Sequence, residues 1–426
     1  MIKKLSIFFI GLAFYLWPIT AHAVDVAQDV YKAKISGIYQ IRVIDVATGN
    51  KAVIGSGFQF TADGYVATNY HVVSEAIHQP NQYRVEYITS NNKTFDLKVV
   101  DFDIIHDIAV LKTAQPAAIF LSLDKSVDLS NGTKIFSIGN PYDLGMTIVE
   151  GIYNGLMEKS FYKKILFSGS LNSGMSGGPA VNNLGDVVGI NVATRGNAIS
   201  FLVPVEYLKS LYEEVKKDLP VSPDLPPDLS KRIEHQLSDN QDNIFKKILG
   251  SPWKQMHIGG ALVPAEISPS FKCWGNSEPA PDHIYELTHL TCSTEDQIFV
   301  SSSLNTGYIG YRYYWINSLK LNPFRFYSAY ERMFAGQKGY ESAGENDAEN
   351  FICNTSFVNV GGKDVKVALC ARRYKKYPSL FDMDLALASV FEKTRGLQVK
   401  VTALGITQDN IKALTKKFLE SISWQK

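Results

Sequence analysis

A proline-rich segment, LPVSPDLPP from Leu219 to Pro227, divides this chain of 426 residues into two parts. Proline locks φ and lacks a backbone N–H, so this segment cannot form a helix interior or a central strand. It has the composition of a semi-rigid spacer. The length also exceeds that of one ordinary domain core. We therefore expect a linker at residues 218–230 between one domain at 24–217 and another at 231–426.

The first residues have the pattern of an export signal. Lys3 and Lys4 precede an apolar run, Leu5–Trp17, which is short for a bilayer span and is followed by Ala21-His22-Ala23. We expect a signal peptide at 1–23 and a mature chain that begins at Val24, with a retained N-terminal anchor as the alternative. The resulting protein would be periplasmic or secreted, without a stable membrane anchor after cleavage.

Composition excludes some other functions. Hydrophobic residues make up 45% of the chain and charged residues 20%, which is typical of a folded protein. The formal net charge of +1 provides no electrostatic footprint for nucleic acid, so we expect no such partner.

The first half has the pattern of an all-β structure. Short apolar segments with strand-like alternation are separated by the turn pairs Asp63-Gly64, Asn91-Asn92 and Asn131-Gly132. Short strands about ten residues apart, with glycine and asparagine turns, favour a sandwich or a barrel. The pattern continues to about Val205.

The octapeptide NSGMSGGP places Ser176 among Gly174, Gly177 and Gly178. Closely spaced glycines allow tight turns with positive φ, so backbone N–H groups can point at a small space beside the serine oxygen. An oxyanion hole is built in this way. The alternative is an ordinary glycine- and serine-rich loop.

A base and an acid precede this serine in the chain. In TNYHVVSEA, His71 lies between a strand and an apolar helical turn, and in HDIAVLK, Asp107 heads an apolar strand. A carboxylate entering a core needs a partner, and an imidazole is suitable. Taken singly, either residue could be structural. Alternative candidates for the base are His78 and His106, and alternative candidates for the acid are Asp101 and Asp103. The order His71, Asp107, Ser176 is that of the chymotrypsin triad.

From about Val30 to Leu211 the chain resembles the HtrA/DegP-like branch of the trypsin-like serine proteases. The matching segments are GSGFQFTADGYVATNYHVV, HDIAVLK, FSIGNPYDLGMTIVEGIYNG, NSGMSGGPAVNNLGDVVGIN and FLVPVEYL. The resemblance implies a chymotrypsin-like double β-barrel, polypeptide substrates, no metal or cofactor, and a homo-oligomer. It also implies that Ser176 is the nucleophile, His71 the base and Asp107 the orienting acid, with the N–H groups of Gly174 and Ser176 binding the oxyanion.

The same resemblance places a primary substrate pocket around Ser170, Leu171, Ile190 and Asn191. Ser170 occupies the position six residues before the nucleophile and is not an aspartate, which disfavours cleavage after Arg or Lys. We expect a pocket for small or medium aliphatic side chains. The alternative is that Leu171 and Ile190 are core residues.

Two residues depart from the family pattern. Met175 precedes the nucleophile where polar residues are common, and Ser173 replaces a frequent proline. Met175 indicates either a narrowed cleft or an oxyanion loop that is not preformed.

The second half predicts an α+β domain without a recognisable PDZ pattern. We expect a helix from Ser230 that ends at Gly250, and a closing amphipathic helix with the N-cap Thr407. Strands are expected near Gln297–Ser303, Tyr308–Ile316, Phe351–Val360, Val365–Ala371 and Leu397–Ala403.

All cysteines lie in this half, at Cys273, Cys292, Cys353 and Cys370. An even number in an exported chain, without Cys-x-x-Cys spacing, favours two disulfides over a zinc site. Three pairings are open, and we favour Cys273 with Cys292 and Cys353 with Cys370 because each closes a short loop. Free buried thiols are the alternative.

These observations lead to three functional hypotheses. In the first, the chain is an extracytoplasmic serine endopeptidase. In the second, it is a catalytically silent chaperone-like or polypeptide-binding protein on a protease scaffold. In the third, it is a secreted effector protease with one target.

Overall fold

The computed structural model describes residues 25–123, 129–194, 196, 198–218, 228–279, 284–336 and 343–425. The signal peptide expected at 1–23 lies outside these residues, and so does most of the expected linker, at 219–227.

Six antiparallel strands close a first barrel, in the order β1-β2-β3-β6-β5-β4. Alternating apolar side chains fill it, among them Ile41, Val43, Val66 and Tyr87, all fully buried. The strands are β1 (Ile38–Asp45), β2 (Lys51–Gln59), β3 (Tyr65–Thr68), β4 (Tyr83–Ile88), β5 (Thr94–Asp103) and β6 (Ile108–Lys112).

A second barrel of six strands follows, in the order β10-β11-β12-β9-β8-β7. Its strands are β7 (Lys134–Gly139), β8 (Thr147–Leu156), β9 (Ile165–Phe167), β10 (Pro179–Val181), β11 (Val187–Thr194) and β12 (Ser200–Pro204). Two consecutive closed barrels are the architecture of a chymotrypsin-like fold, so that prediction is confirmed.

Three helices accompany the barrels: α1 (Val26–Lys34), α2 (Tyr70–His78) and α3 (Val205–Asp218). Helix α2 begins directly after β3, because the strand ends at Thr68 and Asn69 takes the extended N-cap conformation. This junction fixes the backbone on either side of His71.

The C-terminal region is built on a seven-stranded antiparallel sheet in the order β15-β16-β19-β23-β22-β21-β20. Two smaller sheets accompany it, β13-β14-β24 and the hairpin β17-β18. The strands are β13 (Gln255–Ile258), β14 (Ala261–Pro264), β15 (Lys272–Pro279), β16 (Tyr285–Ser293), β17 (Ile298–Ser301), β18 (Leu304–Thr306), β19 (Ile309–Ser318), β20 (Ile352–Val360), β21 (Lys363–Arg373), β22 (Leu380–Ser389), β23 (Arg395–Thr407) and β24 (Ser423–Trp424).

Three helices pack with these sheets: α4 (Leu229–Gly250), α5 (Pro323–Gly336) and α6 (Gln408–Glu420). The predicted helix ending at Gly250 and the predicted cap at Thr407 are both present, and the Thr407 hydroxyl accepts the Asn410 N–H. Among the helices of the described residues, none is long and apolar enough to cross a membrane.

The cysteines are paired as the sequence favoured. The sulfur atoms of Cys273 and Cys292 lie 2.07 Å apart, and those of Cys353 and Cys370 lie 2.00 Å apart. Each pair joins residues directly opposite one another, on β15 and β16 or on β20 and β21. Since β15 and β20 are the two edges of the seven-stranded sheet, each disulfide ties an edge strand to its neighbour.

One apolar core continues from the first barrel into the C-terminal region. Tyr70 and Phe102 of the barrel belong to the same buried cluster as Phe245 of α4 and Tyr311 of β19. The C-terminal region therefore packs directly on the barrel that carries His71.

Candidate functional site

The turn between β5 and β6 presents Asp107 to helix α2. Asp107 adopts a left-handed backbone conformation with φ of 58°, which aspartate tolerates better than most residues. Its carbonyl accepts a hydrogen bond from Asn69 Nδ2 at 2.8 Å. Its carboxylate is thereby held beneath the start of α2.

The carboxylate of Asp107 binds His71 twice. Oδ1 accepts the backbone N–H of His71 at 2.9 Å, and Oδ2 lies 2.7 Å from Nδ1 of the ring. Because a carboxylate only accepts, Nδ1 carries the proton and Nε2 is left as the basic nitrogen. Burial lowers the pKa of His71, but the charge and hydrogen bond of Asp107 raise it by more, so the pKa lies above the ordinary value of 6.5.

Ser176 lies in the turn before β10 with its hydroxyl directed to strand β11. Oγ donates to the carbonyl oxygen of Val192 at 3.0 Å. Among the residues that the structure describes, no hydrogen bond joins Ser176 to His71. The hydroxyl of Ser176 leaves the Val192 carbonyl only by rotation about its Cα–Cβ bond, and such rotations are fast.

The glycines around Ser176 have the backbone that the motif predicts. Gly174 has φ of +93° and Gly177 has φ of +84°, both in the left-handed region that favours glycine. Within the described ranges, the N–H groups of Gly174 and Ser176 have no hydrogen-bond acceptor. They are therefore free to bind a ligand oxygen.

Ser56, on strand β2, forms hydrogen bonds that hold the turn around Ser176 in place. Its backbone N–H donates to the Ser176 carbonyl at 2.7 Å, and its Oγ donates to the Gly174 carbonyl at 2.7 Å. The same Oγ accepts the Asn140 N–H at 2.9 Å. The sequence analysis missed Ser56, although it falls within the quoted segment beginning GSGF.

Met175 and Ser173 keep the turn in place in different ways. Met175 is fully buried and packs into the core of the second barrel, so its side chain does not narrow the cleft. The carbonyl of Ser173 accepts the Tyr142 N–H at 2.8 Å. Because the C=O and N–H of a trans peptide point in opposite directions, this bond turns the Gly174 N–H away from Tyr142.

The four residues expected in the substrate pocket are placed differently from one another. Ser170 is exposed, whereas Leu171 is buried in the core of the second barrel and Ile190 in a cluster that the two barrels share. Asn191 is fully buried, where its Nδ2 donates to the Met175 carbonyl at 3.2 Å and its Oδ1 accepts from Ser137 at 2.7 Å. Asn191 thus supports the serine turn from inside the barrel.

A cavity of about 400 Å³ opens beside His71, and none of those four residues lines it. Its walls are mainly apolar and come from the first barrel, the second barrel and the C-terminal region, as represented by Ile104, Phe201 and Phe299. The sequence analysis assigned none of the three to the site. Phe201 begins the quoted segment FLVPVEYL, whereas no local motif marks Ile104 or Phe299.

The rival acids and histidines have other partners. His106 lies 2.6 Å from Asp103 through Nδ1 and stacks on Tyr207 with ring centroids 3.6 Å apart. His78 contacts Tyr70 and the C-terminal region, and Asp101 forms an ion pair with Arg232. In the described parts of the chain, no three His, Cys, Asp or Glu side chains are arranged to hold a metal ion.

Comparison with known proteins agrees with the geometry. Residues 55–190 match the family model of the trypsin-like peptidase domain. Protease Do-like 1 of the Arabidopsis thaliana chloroplast is 31% identical over 192 residues, which cover 42% of each chain. Serine protease HTRA1B of Danio rerio is 31% identical over 205 residues, covering 45% of this chain and 42% of that protein.

A third relative is a probable periplasmic DegP-like serine endoprotease of Ectopseudomonas mendocina, 33% identical over 174 residues, covering 39% of this chain and 35% of that protein. The chain thus spans less than half the length of these curated relatives. Among solved structures, the serine endoprotease of Yersinia pestis overlays with a TM-score of 0.39 and 24% identity, over 45% of this chain and 67% of that one. Residues 55–190 form a trypsin-like peptidase domain similar to those of HtrA/DegP proteins, which confirms the resemblance.

Proposed function

We propose that this protein is a serine endopeptidase that hydrolyses polypeptides in the periplasm or after secretion. The observation that carries the proposal is the double contact of the Asp107 carboxylate with His71, at 2.9 and 2.7 Å. The glycine-rich turn that contains Ser176, with its unpaired N–H groups within the described residues, supports it. The similarity of residues 55–190 to serine endoproteases supports it.

In the proposed reaction, Ser176 Oγ leaves the Val192 carbonyl and attacks the carbon of the scissile peptide. His71 Nε2 takes the hydroxyl proton, and the oxygen of the tetrahedral intermediate accepts from the N–H groups of Gly174 and Ser176. The amine leaves with the proton from His71, and an ester remains on Ser176. Water, deprotonated by His71, hydrolyses that ester and restores the enzyme.

We further propose that the primary pocket accepts small or medium aliphatic side chains. The side chain at position 170 carries no negative charge, so an Arg or Lys residue of the substrate would find no carboxylate there. Cleavage of a peptide library tests this preference, and dominant cleavage after Arg or Lys would contradict it. We also propose that the protein forms a homo-oligomer, as the resemblance implies.

A second candidate is a catalytically silent polypeptide-binding protein. The observation that favours it is the hydrogen bond from Ser176 Oγ to Val192, which leaves the serine unconnected to His71. A silent protein would hold the serine in this position even when a peptide is bound.

Hydrolysis of an unfolded protein and of fluorogenic peptides separates the two candidates. Ser176→Ala and His71→Ala should each lower kcat by a factor of about 10⁴ or more. Ser423→Ala, which changes an exposed serine on β24, is the control and should leave the rate unchanged. Equal residual hydrolysis by wild type and Ser176→Ala would favour the silent protein.

A further inference from the structure

The hairpin β17-β18 of the C-terminal region lies against the helix that carries His71. Successive residues of a strand face opposite sides. Ile298 and Val300 are 2% and 1% exposed and belong to the shared core. Phe299, between them, is half-buried, and its ring lies 6.1 Å from the ring of His71 in an edge-on arrangement. The hairpin thus presents one aromatic side chain to the candidate site.

Two hydrogen bonds attach this hairpin to the first barrel. The carbonyl of Val300 accepts the Tyr70 hydroxyl at 2.8 Å and lies 2.9 Å from Nε2 of His78. Tyr70 and His78 are the first and last residues of α2, so both ends of the helix contact the same strand. Phe299 is therefore held in a fixed relation to His71.

A buried carboxylate attaches the same segment to the second barrel. Asp296, just before β17, accepts hydrogen bonds from Ser160 Oγ and the Phe161 N–H, both at 2.7 Å. It also pairs with Lys164 Nζ at 2.8 Å, and its side chain is only 3% exposed. The segment therefore spans both barrels next to the catalytic cleft.

The cavity beside His71 remains open between these parts. Ile104 of the first barrel, Val192 and Phe201 of the second, and Phe299 of the hairpin form its walls, and its volume is about 400 Å³. Pockets of roughly 300–1,000 Å³ with mostly apolar walls are typical of binding sites. Phe299 borders this space and leaves it unfilled.

We infer that this cavity is a substrate subsite for a large apolar side chain adjacent to the scissile bond, and that Phe299 determines its specificity. The inference rests on the proposed endopeptidase function, because only then does the residue next to the attacked carbonyl lie against His71. The C-terminal region is thereby part of the substrate-binding surface, and its role extends beyond packing on the first barrel.

The test compares peptides that differ only in one residue beside the cleaved bond. Wild type should prefer Leu, Met or Phe over Ser at one such position, and Phe299→Ala should lower kcat/KM for the apolar peptides about tenfold to 100-fold. Phe299→Trp should shift the preference to smaller side chains, because it fills the cavity. Phe357→Ala, which removes an exposed phenylalanine of β20, is the matched control and should leave the ranking unchanged.

In the hydrolysis assays, two outcomes would overturn the inference. One is that both Phe299 variants are folded and rank the peptides in the same order, and by the same ratios of kcat/KM, as the wild type. The other is that Phe299→Ala accelerates every substrate and the labelling of Ser176 by a small phosphonate, which would make the hairpin a barrier across the cleft.

Binding measurements keep the subsite testable if the protein does not catalyse hydrolysis. In a Ser176→Ala background, fluorescence anisotropy should show that a leucine-containing peptide binds about tenfold more tightly than its serine analogue. Phe299→Ala should remove most of that difference. An equal affinity for both peptides would overturn the subsite alone, whereas absent labelling of Ser176 in wild type would overturn only the proposed catalysis.

Discussion

Ser56→Ala removes a side-chain oxygen that holds the turn around Ser176 in place. The substitution deletes a 2.7 Å hydrogen bond to the Gly174 carbonyl and a 2.9 Å hydrogen bond from the Asn140 N–H. Ser56 is fully buried, so the two backbone groups lose partners that water does not readily replace. At about 1–3 kcal/mol for each of the two unpaired groups, we expect the free energy of unfolding to fall by about 2–6 kcal/mol.

The rate should fall as well, because the Gly174 carbonyl and the Ser176 carbonyl belong to the turn that carries the proposed oxyanion donors. Loss of one donor costs about 10²–10³ in kcat, which is the ceiling here. Other anchors survive the substitution, among them the hydrogen bonds from the Ser56 N–H to Ser176, from the Tyr142 N–H to Ser173 and from Asn191 Nδ2 to Met175. We therefore expect kcat to fall about tenfold to 100-fold with little change in KM, measured with a fluorogenic peptide well below the unfolding temperature.

Ser389→Ala is the matched control for this prediction. Ser389 is a buried serine of the C-terminal region whose Oγ accepts the Leu397 N–H at 2.9 Å. Its loss should lower stability in urea unfolding but leave kcat unchanged. If Ser56→Ala lost a similar stability while kcat stayed at the wild-type value, the turn would not depend on this hydrogen bond and the reasoning would be wrong.

Three further predictions follow from the same structure. Asp107→Asn should lower kcat about 10⁴-fold. Because Asp107 raises the pKa of His71 above 6.5, the activity of the wild type should rise with pH above that value. In the variant, a pH–rate profile should show this rise at lower pH. Gly177→Ala should abolish hydrolysis, since a Cβ there would lie 2.1 Å from the nearest oxygen at φ of +84°, whereas Gly362→Ala, with φ of +83° and open space, should leave kcat unchanged. Replacing both cysteines of the disulfide between β20 and β21 by alanine should lower the free energy of unfolding by about 3 kcal/mol in urea titrations, and an unchanged value would contradict the pairing.

The double barrel could be predicted from sequence because its signals are local. Alternating apolar residues and paired turn residues mark each strand, and the strand that ends before His71 and the strand that begins after Asp107 appear in the structure where expected. The motif order then relates three distant residues without any knowledge of their contacts. The structure adds the distances, and it adds Ser56, whose role depends on a contact across 118 residues of the chain.

The expected pocket shows the limit of counting positions from a motif. An offset from Ser176 identifies Leu171 and Ile190, but it does not say which way their side chains point. In the structure Leu171 packs in the core of the second barrel, and Ile190 packs in a buried cluster that also contains residues of the first barrel. Phe299 could not be found in this way at all. It reaches the site only because the C-terminal region packs on the first barrel, which no local pattern reports.

Labelling with a serine-directed phosphonate tests the central claim most directly, because the reagent reacts only with a serine whose hydroxyl is activated by a base. Wild-type protein should gain the mass of one phosphonyl group, and peptide mapping should place it on Ser176. Ser176→Ala should gain none, and His71→Ala should react at a rate lower by a factor of about 10³ or more. A folded wild-type protein that stays unlabelled, or that is labelled equally in the His71 variant, would contradict the account.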